Sequence, residues 1–378
     1  MKQFQVIIPV FQTKKIFLLC IQSLLKSINY PTELIIINDG SPFNCVNVIH
    51  ENFNIPDKIQ FHYIEHSHSI GCPKSINQAL KFVRNDSYVI FADSDIIFSS
   101  NWQETVIETL KDPSIGAVSG IFLYPQSEGI QCCGIAYQNY LARHVYLNNK
   151  LKNLSLPLIF DVQATIFAFF AMKSNIIKSI GALDENFFNG YEDVDYQFRI
   201  CEAGYRIVTN TSMIFYHFEK SNGNHRQYSR RQNLGLFWSK HAKAVKNDLY
   251  LYFEKQFTLH NFSSPKYVLI NMCEAQNDAN NMISFLMNRL SIDTVCDVSN
   301  CCNISQKLWL PEMLSSDSYA LPKPYIFLCD NFVELTENSY WFNLRSKYSN
   351  EDIIIDLYAN IMPFFELTNS FWPGNKIR

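Results

Sequence analysis

The chain has 378 residues, of which 47% are hydrophobic and 15% aromatic, and its formal net charge at pH 7 is -3. This length and composition predict a well-packed globular protein with one large domain and a smaller one, and they exclude a disordered chain. The charge balance lacks the positive footprint of nucleic-acid-binding proteins, so we expect no nucleic-acid partner.

The sequence predicts a cytoplasmic protein. Residues 1–10 are too short and too soon interrupted by Pro9 to form a signal peptide. No uninterrupted apolar window of about 18 residues occurs, so we expect no transmembrane helix. The cysteine count of eleven is odd, and in a chain of this size reduced thiols are the best interpretation.

The first hundred residues alternate between predicted strands and helices. Apolar runs predict strands at residues 5–10, 33–38, 59–64 and 88–92, and amphipathic spacing predicts a helix after the first strand and another at 73–83. Such alternation predicts a doubly wound sheet, which binds ligands beyond the carboxyl ends of its strands. Asp39 and Asp93 both lie at such ends.

The pattern changes near residue 250. Before it we predict helices at 102–110, 192–203 and 226–246, and strands at 117–123, 164–172, 205–208 and 213–216. After it we predict strands at 267–272, 294–298 and 325–329 and helices at 277–290 and 352–361. The chain therefore divides into a domain at residues 1–250 and a smaller α/β domain at residues 251–378.

Asp93-Ser94-Asp95 follows the apolar run 88–92 and offers two carboxylates one residue apart. Carboxylate oxygens at this position suit a hard cation such as Mg²⁺ or Mn²⁺ beside a diphosphate. We expect Asp95 to be the direct metal ligand and Asp93 to reach a ribose or a metal-bound water. The alternative is that Ser94 and Asp95 cap the helix that follows.

A second acidic cluster begins the helix predicted at 192–203. Asp193 is the predicted general base, which takes a proton from an acceptor hydroxyl, and Glu192 is expected to orient the acceptor. Asp195 is placed to pair with Arg199 one helical turn later. The alternative is structural, because acidic residues are common in the first turn of a helix, where the helix dipole favours them.

Two further side chains follow apolar strands. His217 is a candidate third metal ligand or a hydrogen-bond donor to a leaving phosphate, and the alternative is a structural histidine. Asp39 is placed to bond a nucleobase or a ribose, and the alternative is that Asp39-Gly40 only forms a turn.

In this order, the motifs resemble the family 2 glycosyltransferases of GT-A fold, in particular the bacterial branch that transfers rhamnose and galactofuranose. The resemblance covers roughly the first two thirds of the chain. It is carried by the opening strand Ile7–Phe11, the second strand Glu33–Ser41, the helix with Gly71, Ser75, Asn77 and Ala79, the Asp93–Asp95 motif, the acidic segment 180–199 and the basic segment Arg230–Leu234 with Lys240-His241. It implies a GT-A type doubly wound mixed sheet flanked by helices, followed by the smaller C-terminal α/β domain.

The resemblance also implies an activity and a site. The expected reaction is an inverting, metal-dependent transfer of a sugar from a UDP- or dTDP-linked donor to a glycan, lipid-linked or protein acceptor in bacterial surface polysaccharide or glycoconjugate synthesis. The expected cofactor is Mn²⁺ or Mg²⁺. The implied residues are Asp95, Asp93 and His217 for the metal, Asp193 and Glu192 for catalysis, and Pro9, Val10, Asp39, Asn77, Asp93 and Ser94 for the nucleotide sugar.

Two other functions fit parts of the sequence. A nucleotidyltransferase of related topology would carry a glycine-rich loop after the first strand, and Phe11–Lys15 has no glycine. A non-catalytic glycan-binding or scaffold protein would not need Asp93, Asp95, Asp193 and His217 together. The role of residues 251–378 stays open between partner docking, acceptor binding and homo-oligomerisation. The aromatic tail at 363–373 suggests peripheral contact with the inner face of a membrane, with burial as the alternative.

Overall fold

The computed structural model describes residues 3–138, 141–219, 225–259, 267–297, 324–333 and 351–364. The chain divides into two compact units. The first contains Met1–Ile135 and Leu156–Lys246, and the second contains Ala136–Ser155 and Asn247–Arg378. The domain boundary near residue 250 stays a prediction, and the aromatic tail beyond residue 364 lies outside the described residues.

The first unit is built on one mixed sheet. Its strands in the described residues are β1 (Gln3–Val10), β2 (Thr32–Asp39), β3 (Ile59–His66), β4 (Ser87–Ala92), β5 (Ile96–Ile97), β6 (Ile115–Leu123), β7 (Ile130–Cys132), β10 (Ile159–Val162), β11 (Phe169–Lys173) and β12 (Arg206–His217). The strand order is β10-β12-β6-β11-β4-β1-β2-β3, with β5 on β12 and β7 on β6. Strands β8 (Ile135–Gln138) and β9 (Leu141–His144) form a separate two-stranded sheet.

Strands β1, β2, β3 and β4 pair in parallel, whereas β11 runs antiparallel to both β4 and β6. The run Leu34–Ile37 is buried throughout, as expected for a parallel strand that is covered on both faces. The predicted mixed α/β fold class is thus confirmed.

Seven helices of the described residues belong to the first unit: α1 (Lys14–Ser27), α2 (Cys45–Asn52), α3 (Cys72–Leu80), α4 (Trp102–Thr109), α5 (Ser174–Ile180), α6 (Glu192–Glu202) and α7 (His225–His241). Gly40 shows why one turn needs glycine. Its φ is +85°, and a Cβ there would lie 2.7 Å from the backbone nitrogen of Ser69. The loop before α3 can therefore approach the end of β2 only because Gly40 has no side chain.

Two predictions for this unit were wrong in detail, and one alternative is excluded. The strand predicted at 164–172 begins only at Phe169, because the side chain of Gln197 bonds both backbone groups of Thr165 and replaces a strand partner. The two short strands predicted at 205–208 and 213–216 are one strand, β12, with an irregular register against β6. Asn101, not Ser94 or Asp95, precedes α4, so the capping alternative for the metal motif is excluded.

In the second unit, the described residues contain α8 (Leu249–Leu259), α9 (Gln276–Leu290), β13 (Val268–Asn271), β14 (Thr294–Asp297), β15 (Tyr325–Cys329), β16 (Ile353–Asp356) and β17 (Ile361–Pro363). These strands form a sheet in the order β14-β13-β15-β16-β17, which is parallel except for β17. A 3₁₀ turn at Leu151–Asn153 also belongs here.

The helix predicted at 352–361 was wrong, since this segment forms β16, a turn and β17. Three consecutive isoleucines, Ile353–Ile355, are β-branched and fully buried, which favours a strand. The Asp356 side chain then accepts bonds from the backbone nitrogens of Tyr358 and Asn360, which closes the turn. Among the helices that the structure describes, none has the length and apolar character needed to cross a bilayer.

Candidate functional site

Residues of the candidate site lie at the carboxyl ends of three neighbouring parallel strands. Val10 ends β1, Asp39 ends β2, and Asp93 follows β4. Because β4, β1 and β2 are adjacent in the sheet, these residues meet at one edge. Pro9 and Val10 pair with Ile37 and Asn38 in the parallel register of β1 and β2. This edge is where an α/β sheet binds ligands.

The structure brings Asp93, Asp95 and His217 together. Ile96, directly after Asp95, pairs with His217 in the short antiparallel contact of β5 with β12. Nε2 of His217 lies 3.2 Å from Oδ1 of Asp95 and 3.6 Å from Oδ2 of Asp93. One ligand atom from each residue lies within 4.8 Å of the other two. Two carboxylates and one imidazole form a donor set that fits a divalent cation such as Mn²⁺.

The three side chains differ in exposure. The Asp95 side chain is 6% exposed and that of His217 is 11% exposed, whereas that of Asp93 is 39% exposed. Burial lowers the pKa of His217, but the hydrogen bond to Asp95 and the charges of Asp95 and Asp93 raise it more, so its net shift is upward. Burial also raises the pKa of the Cys20 thiol, which donates to the Asp93 carbonyl. The two carboxylates thus favour positive charge at this cluster, whose exposed member is Asp93.

Gln131 and Glu219 extend this cluster, and the sequence analysis missed both. Nδ1 of His217 lies 2.6 Å from Oε1 of Gln131, whose Nε2 donates to Oε2 of Glu219 at 2.9 Å. Gln131 is 2% exposed on β7. A buried glutamine within the apolar segment Ile130–Cys132 was the available sequence signal, because a buried amide needs a hydrogen-bond partner.

Asp39 organises the loop between β3 and α3. Its Oδ1 accepts bonds from Nδ1 of His66, the backbone nitrogen of Ile70 and Oγ of Ser75, and its Oδ2 accepts from Oγ of Ser69. Burial alone would raise the pKa of Asp39. These hydrogen bonds lower the pKa by more than burial raises it, so the net shift is downward. Asp39 is therefore an ionised carboxylate, and Oδ2 has capacity for another donor.

The side chain of Asn77, on α3, is committed to the acidic segment that the resemblance placed on the acceptor side. Its Nδ2 donates to the Leu183 carbonyl and to Oε1 of Glu185, and its Oδ1 accepts from the Leu183 nitrogen. The backbone nitrogen of Cys72 also donates to Oδ1 of Asn189. Helix α3 therefore connects the loop held by Asp39 to the segment that leads into α6.

The start of α6 carries Glu192 and Asp193 on an unusual backbone. The three preceding residues, Asn189, Gly190 and Tyr191, all have positive φ values. Consecutive residues in this strained conformation persist only when surrounding contacts stabilise them. Asn233 of α7 supplies such contacts by donating to the carbonyls of Phe188 and Gly190. The carboxylate of Glu192 accepts from the Gly190 nitrogen.

Asp193 is half-buried in the first turn of α6, and its Oδ1 accepts from the nitrogen of Val194. Burial raises the pKa of the neighbouring Cys132 thiol to about 11, and the charge of Asp193 contributes to this rise. Because Cys132 follows Gln131 on β7, Asp193 acts electrostatically on the same strand that contacts His217.

Asp195 has the structural role that the sequence suggested, and its partners are more numerous. It is fully buried, and its carboxylate contacts Nε of Arg199 at 3.0 Å, Nε2 of His241 at 2.9 Å and Nζ of Lys240. Burial raises the pKa of Asp195, whereas bonds from His241 and Lys240 lower it, so the net shift is downward. This cluster fixes α7 against α6.

The remaining predicted residues are placed as follows. Ser94 is buried and lies between the two aspartates in the sequence. Arg231 is exposed on α7, whereas the side chain of Arg230 lies outside the described residues. The structure thus brings the three metal candidates together, and it gives Asp39 and Asn77 internal partners that the sequence did not predict.

The sequence and structure were compared with known proteins. Residues 5–170 match the family model of glycosyl transferase family 2. The poly-β-1,6-N-acetyl-D-glucosamine synthase of Staphylococcus aureus (strain COL) is 35% identical over 89 residues, which are 23% of this chain and 21% of that protein. The pre-mycofactocin glycosyltransferase of Mycobacterium tuberculosis (strain CDC 1551 / Oshkosh) is 26% identical over 178 residues, which are 46% of this chain and 35% of that protein.

Two solved structures are also similar. One is the mannosyltransferase PcManGT from Pyrobaculum calidifontis in complex with GDP-Man and Mn²⁺, with a TM-score of 0.47, 15% identity and 65% coverage of each chain. The other is S. aureus TarS 1-349 in complex with UDP-GlcNAc, with a TM-score of 0.44, 16% identity and coverage of 70% of this chain and 74% of that one.

The family match includes strands β1, β2 and β4 of the candidate site but not His217. The matched residues 5–170 contain Asp39, Asn77, Asp93, Asp95 and Gln131. The chain spans about a fifth and about a third of the length of the two relatives. Over residues 5–170, the chain is thus similar to glycosyl transferase family 2.

Proposed function

We propose that the protein is an inverting, metal-dependent glycosyltransferase that moves a sugar from a nucleotide diphosphate to an acceptor hydroxyl. The observation that carries this proposal is the convergence of Asp93, Asp95 and His217 at the carboxyl edge of the sheet, where Asp93 and Asp95 belong to the segment that matches family 2. A donor set of two carboxylates and one imidazole, partly open at Asp93, suits a cation that also binds diphosphate oxygens.

Asp95 and His217 are proposed to hold Mn²⁺ or Mg²⁺, with Asp93 completing the site or reaching the ribose. When bound, the ion neutralises negative charge on the departing diphosphate. Asp95 is suited to direct ligation because it is buried and directly precedes β5, which pairs with the end of β12. Asp93 is suited to the donor because its side chain is the exposed member of the three.

The nucleoside is proposed to lie along the ends of β1 and β2, against Pro9, Val10 and Asp39, with Ser94 facing the diphosphate. Asp39 supports this placement because its ionised Oδ2 has room for a nucleobase or ribose donor. We propose UDP- or dTDP-linked sugars as donors. For Asn77 we propose an indirect contribution, because both of its amide hydrogens are committed to the segment at 183–185.

Asp193 is proposed to be the general base. Its carboxylate takes the proton of the acceptor hydroxyl while that oxygen attacks the anomeric carbon from the side opposite the diphosphate, and a single displacement of this kind inverts the configuration. Glu192 is proposed to orient the acceptor. Asp195 is unsuited to this role because three cationic side chains surround it. The proposed acceptor is a glycan, lipid-linked or protein hydroxyl in bacterial surface polysaccharide or glycoconjugate synthesis.

The test is release of nucleoside diphosphate from a panel of UDP- and dTDP-sugars, measured with Mn²⁺ and with EDTA. We expect one donor to be turned over only with the metal, and Asp95→Asn to abolish this turnover. Asp57→Asn, an exposed change on a turn, is the matched control and should retain full turnover. Equal turnover by Asp95→Asn, or turnover that is insensitive to EDTA, would contradict the proposal.

A further inference from the structure

His217 is the end of a buried hydrogen-bond chain that begins at the protein surface. Glu219 accepts from Nε2 of Gln131 at 2.9 Å, and Oε1 of Gln131 lies 2.6 Å from Nδ1 of His217. At the other side of the ring, Nε2 of His217 lies 3.2 Å from Asp95.

The chemistry of the first group sets the polarity of the whole chain. An ionised carboxylate only accepts hydrogen bonds, so Glu219 requires the NH₂ of Gln131 to point toward it. The amide oxygen of Gln131 must then face the imidazole, and Nδ1 of His217 must carry a hydrogen. A neutral imidazole with hydrogen on Nδ1 has its lone pair on Nε2, which is the nitrogen that faces Asp93 and Asp95.

The backbone around this chain is built to hold it. Gln131 is 2% exposed on β7, so its amide cannot exchange partners with solvent. Glu219 has a φ of +49°, a left-handed conformation that is uncommon for a residue other than glycine. The nitrogen of Phe218 donates to the Asp95 carbonyl at 3.0 Å, which ties the segment of His217 and Glu219 to the aspartate motif.

We propose that Gln131 and Glu219 are positioning residues, which fix the tautomer and ring orientation of His217 so that Nε2 is presented to a divalent cation. The inference rests on the proposed function, because it assigns these residues to the same metal site. Partners of this kind raise the affinity of a histidine-containing site, and their loss costs about 10- to 100-fold in metal affinity.

The first readout is the Mn²⁺ dissociation constant, measured by electron paramagnetic resonance of free Mn²⁺. Gln131→Leu removes the acceptor at Nδ1 and should weaken Mn²⁺ binding about 10- to 100-fold. Glu219→Gln removes the charged acceptor that orients the Gln131 amide and should have a smaller effect in the same direction. The paired exchange Gln131→Glu with Glu219→Gln again provides an acceptor at Nδ1, and should keep Mn²⁺ affinity at or above the wild-type level.

The second readout is spectroscopic and uses Mg²⁺, which is diamagnetic. With ¹⁵N-labelled histidine and bound Mg²⁺, nuclear magnetic resonance should show hydrogen on Nδ1 of His217 in the wild type and in the paired exchange, and a mixture of tautomers in Gln131→Leu. Gln103→Leu is the matched control. Gln103 is also buried, and its side chain accepts hydrogen bonds from the backbone nitrogens of Asn29 and Tyr30, which are distant from it in sequence. It should change neither the tautomer nor the Mn²⁺ affinity.

The outcomes separate this inference from the proposed function. A wild-type protein that does not bind Mn²⁺ would overturn the metal site and this role with it. Wild-type Mn²⁺ binding, combined with unchanged affinity and unchanged tautomer in Gln131→Leu, would overturn only the positioning role. If Gln131→Leu does not fold, the paired exchange decides the matter, since a weakened affinity there overturns the role as well.

Discussion

Asn77 and Leu183 are 106 residues apart in sequence, and they exchange two hydrogen bonds of 2.9 Å between the amide of Asn77 and both backbone groups of Leu183. This exchange joins α3, whose preceding loop is organised by Asp39, to the segment that enters α6 with Glu192 and Asp193. The two sides of the candidate site are thus connected by one short helix.

Replacing Asn77 tests whether this connection supports catalysis. Asn77→Ala leaves backbone groups of Leu183 without partners, so we expect a loss of stability of about 1–3 kcal/mol. If the connection also holds Asp193 in place, kcat should fall more than donor affinity does. Urea unfolding and steady-state kinetics measure the two effects. Asn52→Ala, an exposed change on α2, is the control and should leave both stability and kinetics unchanged. If Asn77→Ala lowers donor affinity as strongly as kcat, Asn77 binds the nucleotide directly instead.

Replacing Asp193 tests the proposed base. Asp193→Asn keeps a side chain of the same shape that cannot take a proton, so kcat should fall about 10²- to 10⁴-fold. The affinities for Mn²⁺ and for the nucleotide should stay at wild-type values, because Asp193 does not belong to the metal cluster. Turnover and calorimetric binding give both quantities. Full activity in Asp193→Asn would transfer the role of base to another residue, and Glu192→Gln is the first variant to compare.

The sequence predicted the parallel strands well because their signal is local. The run Leu34–Ile37 is apolar at every position, and a strand covered on both faces has that property. One error arose where a tertiary contact decides the structure. Residues 164–168 are as apolar as a strand, yet Gln197 of α6 bonds the backbone of Thr165 in place of a strand neighbour.

The candidate site was predictable in part for the same reason. Asp93 and Asp95 stand out because they end an apolar run, and His217 because it ends another. Gln131 and Asn233 act through partners that are 86 and 45 residues away, and no spacing in the sequence brings such pairs together. The pairing of Asp195 with Arg199 was confirmed because it lies within one helical turn.

The buried Asp195 cluster predicts a large effect on stability. Asp195→Asn removes the negative charge that Arg199, Lys240 and His241 share, and breaking a buried ion pair in this way costs about 3–5 kcal/mol. Urea unfolding of the variant measures the loss. Asp161→Asn, which changes an exposed partner of Arg206, is the control and should have a much smaller effect. Similar unfolding midpoints for the two variants would contradict a dominant role of this cluster.

His241 predicts a pH dependence of stability. Its side chain is 2% exposed and contacts the carboxylates of Asp195 and Glu202. Burial lowers the pKa of His241, but these two carboxylates raise the pKa by more, so the net shift is upward. Above the unfolded value of about 6.5, the native state binds more protons than the unfolded state. The free energy of unfolding should therefore fall as pH rises from about 6.5 through the native pKa of His241.

Urea unfolding at a series of pH values from about 6 to about 9 measures this slope. In His241→Gln the part of the slope that comes from this histidine should disappear, whereas His50→Gln, an exposed change on α2, should keep it. The same slope in wild type and His241→Gln would contradict the assignment. Asp195 has the opposite sign, since its lowered pKa adds stability that is lost only as pH falls below about 4.

Thermal unfolding with a nucleotide-sugar donor tests the central claim most directly. At 100 times its dissociation constant, a donor stabilises the folded state by about 2.7 kcal/mol, which is readily measured as a rise in melting temperature. The metal-site account predicts such a rise for the wild type with Mn²⁺, its loss in EDTA, and its loss in Asp95→Ala with Mn²⁺ present. An equal rise in Asp95→Ala, or no rise for any UDP- or dTDP-sugar, would contradict it.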